Sequence, residues 1–217
     1  MKYYKLLTQK MTSYHDTEWK LNKTITIEKE GVEMCTDQVL HCCNHPLLAV
    51  VFNPIHANIK NPKLFEISVD KIVNTDGLKF ASKSQTLIKE IPLPEISTEQ
   101  KIEFGIKVAK TVYKEEKWNL WADKWLNGED RSKESAFTAA AAAANAANAA
   151  VDPAYAAARA VALAAYYAAD AAAYAAYAVA RAAAYAAYTA TYAAYNFDKN
   201  EFNRKMIELI ESICKHE

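Results

Sequence analysis

Across residues 1–96, apolar and polar positions alternate in short runs. KYYKLL, EWKLNKTITIE, KLFEISV and QTLIKEIPL carry β-branched and aromatic residues with partial alternation, and each predicts a strand. Gly31, Asn53-Pro54, Asn61-Pro62 and Asp76-Gly77 separate them as turns. PLLAVVF, residues 46–52, is a continuous apolar run that opens on proline, which suits the first turn of a short helix. Pro92 and Pro94 close the region.

From Ser97 the apolar period becomes helical. Ser97 followed by Gln100 has the form of a capping box. Ile102, Ile106, Ala109, Tyr113, Trp118, Trp121 and Trp125 then predict one helix over about 98–127, with Gly128 as its stop. The tryptophans share a face and read as packing residues. A second helix is expected over 132–150, from Arg131 or Ser132 into the alanines. Asp152-Pro153 breaks it, because the residue before proline avoids helical backbone, while Asp caps and Pro opens the next helix. That helix is expected over 153–196, and alanine's helix propensity supports it. The last, 199–216, follows Asp198 with Glu201 in capping-box position and Phe197 and Phe202 placed as a staple. Phe202, Met206, Leu209, Ile210 and Ile213 give it an apolar stripe. The expected class is α+β: a small β-rich N-terminal module, 1–96, followed by a helical region, 97–217, whose long alanine-rich helices form a bundle or oligomer.

The alanine tract is periodic. Its large or polar residues are Asp152, Tyr155, Arg159, Leu163, Tyr166, Asp170, Tyr174, Tyr177, Arg181, Tyr185, Tyr188, Tyr192 and Tyr195. They recur by a 3-4-4 rule, an eleven-residue repeat. Three turns per repeat keep this stripe nearly straight along one helix face, and Pro153 to Tyr195 would span about 65 Å. The other faces are alanine and permit close helix approach, which points to self-association as a homo-oligomer. Tyrosine supplies stiff stacking area with a polar tip, and arginine supplies anion-binding forks. The stripe is therefore a candidate surface for a small anionic, nucleotide-like ligand, with Arg159, Tyr166, Asp170, Tyr174, Tyr177, Arg181 and Tyr185 as its binding residues. The alternative is a seam, in which the same repeat packs helix on helix and drives oligomerisation.

Composition trims the function classes. Lys plus Arg and Asp plus Glu are both 26, so net charge is zero, and a nucleic-acid partner is not expected. The N-terminal residues show no secretory pattern, and Arg159, Asp170 and Arg181 interrupt the tract, so no membrane partner is expected either. Cys35, Cys42, Cys43 and Cys214 do not form a secreted disulfide framework, which favours the cytoplasm. CTDQVLHCCNHP gathers Cys35, His41, Cys42, Cys43 and His45, all of zinc-ligand type, but at no zinc-site spacing. A strand through LHCC would turn alternate residues inward instead. No phosphate-cradling glycine loop, carboxylate pair, serine elbow or HExxH is present, so no cofactor, no metal and no catalytic residue is assigned.

Two resemblances add context. Cys35, Leu40-His41, Cys43 and Pro46, then LFEISV and SQTLIKEI, resemble a family of phage and bacterial proteins in which a small β-rich module precedes an alanine-rich helical tail. Trp125, Gly128, Asp130, Arg131 and Ser132 match its bridge into the tail, while Val39 stands where that family often has glycine. The resemblance implies a phage or mobile-element setting and the cytoplasm, with no activity attached. In a phage, a ligand-holding stripe would suit sequestration of a host signalling molecule as an anti-defence device. The tract is also similar to alanine-rich antifreeze helices of the same period. Those place threonine regularly on the repeat, whereas Thr189 and Thr191 lie off the stripe, so ice binding is not expected.

Overall fold

The computed structural model describes residues 2–13, 16–53, 57–112, 115–132, 134–136, 138–139 and 198–215. The fold class is α+β. The chain divides into two compact units, Met1–Glu95 with Asp198–Glu211, and Ile96–Phe197 with Ser212–Glu217.

The first unit is built on two antiparallel sheets. β1 (Tyr3–Leu7), β4 (Lys63–Val69), β7 (Ser84–Ile91) and β2 (Thr24–Thr26) form one, in the order β1-β4-β7-β2. β3 (Leu40–Cys42), β6 (Phe80–Ser82) and β5 (Ile72–Thr75) form the other, in the order β3-β6-β5. An isolated bridge between Tyr4 and Cys43 joins them, with backbone bonds of 2.7 and 2.9 Å. EWKLNKTITIE yields only the three residues of β2. This edge strand is held partly by hydroxyl pairs, Thr24 with Thr86 and Thr26 with Ser84. Upstream, Trp19 is buried in the core while Leu21 is exposed.

Consecutive strand residues face opposite ways, and here both faces of β1 and β4 are covered. Leu7, Phe65, Ile67 and Leu87 meet Trp19, Leu40, Cys42 and Phe80 on one face. Leu6 and Leu64 meet Cys43 and Ala49 on the other. Ala49 belongs to α1 (Pro46–Val51), which has proline in its first turn as expected. Each large side chain fully buried this way stabilises the fold by about 1.5–3 kcal/mol. A register shift between Glu66 and Ile67 marks an irregularity in the β4–β7 ladder.

The last helix, α4 (Lys199–Cys214), starts as the sequence predicts: Asp198 Oδ1 accepts from the backbone N–H groups of Asn200 and Glu201. The Glu201 side chain engages Arg204 instead of completing a box. Within the first unit α4 is tied to the β5–β6 turn. Lys199 Nζ donates to Thr75 O at 2.7 Å, and Asn203 Nδ2 donates to Gly77 O at 2.9 Å. Gly77 has φ +88°, and a Cβ placed there would sit 3.2 Å from Lys199 O and 3.3 Å from a Phe202 ring carbon.

In the second unit the expected single helix is two: α2 (Thr98–Val112) and α3 (Glu116–Leu126). Glu115 interrupts it by capping α3, its carboxylate accepting from Lys117 N and Trp118 N. The Ser97–Gln100 capping box forms in both directions, at 2.8 and 3.1 Å. α3 ends in a Schellman motif: Gly128 N donates to Trp125 O, Glu129 N donates to Lys124 O, and Gly128 takes φ +82°. Trp118, Trp121 and Trp125 are buried on α3. Residues 134–136 and 138–139 are helical, but the rest of the expected 132–150 helix and all of 153–196 lie outside the described residues. Among the described residues, no helix is long and apolar enough to cross a membrane.

Gly77→Ala combines a left-handed backbone with a tight approach to α4. It should cost about 1–3 kcal/mol in denaturant unfolding. Ala at the exposed glycine of the α3 stop, Gly128, meets nothing within 4 Å and so isolates the backbone part of that cost.

Candidate functional site

The chemistry-bearing side chains gather around β3 and β6. Strand alternation sends Leu40 and Cys42 into the core and leaves His41 half-buried on the other side. His41 Nε2 accepts the backbone N–H of Cys35 at 3.1 Å. An accepting ring nitrogen carries no proton, so this bond assigns the Nδ1–H tautomer. Burial, then the ammonium groups of Lys79 and Lys5, hold the His41 pKa down at about 4, with Asp76 opposing.

Cys35 lies on the exposed loop between β2 and β3, at φ +63°. Lys83 organises this loop: its ammonium donates to the carbonyls of Lys29 at 2.5 Å, Gly31 at 2.6 Å and Gln38 at 2.8 Å. Asn74 Nδ2 holds it again through Val32 O at 2.9 Å. The Cys35 sulfur receives a hydrogen bond from Lys79 Nζ at 2.9 Å. Lys79 is itself only 9% exposed. Asp76 Oδ2 lies 3.7 Å from the same ammonium, while its Oδ1 accepts from Leu78 N and Lys79 N at 2.9 Å each, which fixes the carboxylate in the turn.

A second lysine lies beneath this group. Lys5 sits on β1 between Tyr3 and Leu7, two residues from each, and so on the core-facing side. Its Nζ donates to His41 O at 2.6 Å and to Gln85 Oε1 at 3.0 Å, and lies 4.6 Å from the centre of the Trp19 ring. Burial lowers its pKa to about 8. Gln85 is 1% exposed and donates onward to Leu40 O and Ser82 Oγ, both at 3.0 Å. Burial pushes the Cys42 and Cys43 thiols up to about 12, so both are neutral and inert at neutral pH.

A third group joins α1 to α4 within the first unit. Asn44 and Asn203 exchange amide hydrogen bonds of 2.6 and 3.2 Å. His45 Nε2 lies 3.2 Å from Glu211 Oε1, and the buried His45 Nδ1 has no hydrogen-bond partner among the described residues. Burial lowers the His45 pKa, with Glu211 pulling it back up.

The structure thus brings together Cys35 and His41, while Cys42 and Cys43 point into separate core clusters. Among the described residues, no group of three or more His, Cys, Asp or Glu side chains is placed to hold a metal ion. Arg159, Tyr166, Asp170, Tyr174, Tyr177, Arg181 and Tyr185 all lie outside the described residues. Sequence reasoning missed Lys5, Lys79 and Gln85. Their signal is positional: Lys5 alternates with Tyr3 and Leu7, and Lys79 sits between Leu78 and Phe80.

An α+β protein with a lysine-rich polar cluster under one loop is the class that these residues define. Residues 1–99 match the family model described as Domain of unknown function (DUF7666). No curated protein and no solved structure matches the chain.

Gln85→Leu should destabilise the protein by about 2–4 kcal/mol in denaturant unfolding, because Lys5, Leu40 O and Ser82 Oγ each lose a buried partner. His41 sets a pH dependence. Its folded pKa of about 4 lies below the usual 6.5, so the unfolded chain binds more protons between those values. Its contribution is complete above pH 6.5 and is lost as pH falls toward 4. His41→Gln keeps an acceptor for Cys35 and should flatten that acid loss by about 2–3 kcal/mol, read as the difference between wild-type and variant stability curves.

Proposed function

We propose that the protein is a non-enzymatic binding protein that holds a small anionic, nucleotide-like molecule on the Tyr/Arg stripe of its alanine-rich tract. The observation that carries this reading is the register. Arg159, Asp170 and Arg181 recur at steps of eleven residues, with Tyr166, Tyr174, Tyr177 and Tyr185 between and beyond them on the same stripe. Arg159 and Arg181 grip phosphate oxygens as planar forks, and the tyrosine rings stack on a base. The alanine faces between them let copies of the tract approach closely, so the binding form is a cytoplasmic homo-oligomer of long helices. In a phage or mobile element, such a protein sequesters a host signalling nucleotide.

Calorimetric titration of the full chain against a panel of nucleotides, linear and cyclic, tests the proposal. One member should bind at micromolar affinity or better, and Arg159→Ala and Arg181→Ala should each weaken it about tenfold or more, with oligomeric state unchanged in native mass spectrometry. No binding across the panel, or arginine variants that change assembly instead of affinity, would establish the stripe as a helix-packing seam.

A further inference from the structure

We draw no further inference here: the strongest candidate, the apolar groove between α3 and the helical residues Ser135 and Ala139, carries nothing, since Trp121 Nε1, a donor with no partner among the described residues, is sealed from solvent and nothing in the structure shows what covers the groove.

Discussion

The first unit is organised around one buried cation. Lys5 is 8% exposed, and among the described residues its partners are a backbone carbonyl, a side-chain amide and an indole face, with no carboxylate. A buried ammonium costs several kcal/mol unless its protons are satisfied, so all three partners must stay in place together. They come from different parts of the chain: Gln85 from the four-stranded sheet, His41 from the three-stranded sheet, and Trp19 from the segment before β2. Sliding β1 by one residue against β4 would turn Lys5 to the opposite face and strand Gln85. The cation therefore specifies how the two sheets meet, a task that apolar packing alone would perform less selectively.

The same charge reaches the loop chemistry through His41. Two ammonium groups, from Lys79 and Lys5, act with burial to keep the imidazole neutral. Only a neutral ring leaves Nε2 free to accept the Cys35 N–H. Cys35 takes a left-handed backbone, which a non-glycine residue sustains only where its surroundings fix it. His41 on one side, Lys79 on the sulfur and Lys83 on the loop carbonyls provide that fixing. The position of the thiol thus follows from the core polar network.

How much of this the sequence disclosed varies with the physics involved. KLFEISV matches β4 end to end, and the Ser97–Gln100 box, the Gly128 stop and the Asp198 cap all form, because each depends on a few adjacent residues. β5 and β6 were not anticipated. They are short, and their pairing with each other and with β3 is a tertiary decision. The break at Glu115 was legible in hindsight, since the step from Tyr113 to Trp118 is five residues where a helix face recurs at three or four. The lysine cluster was not. A lysine carries an exposed prior, and only the opposing strands supply the carbonyls and amide that overturn it. The Tyr/Arg stripe is the reverse case, plain in the sequence and outside the described residues.

α4 is sequence-distant from the sheets that it packs with, and side-chain contacts rather than chain connectivity fix it there. The Asn44–Asn203 exchange, the Asn203 bond to Gly77 O and the His45–Glu211 pair each contribute about 1 kcal/mol, and the buried Phe202, Met206 and Ile210 contribute about 1.5–3 kcal/mol apiece. Gly77 is then more than a turn residue: it lets the β5–β6 turn approach α4 closely enough for these contacts to form. A side chain at that position would push the turn from α4, and the Asn203 amide would lose the carbonyl that it meets there.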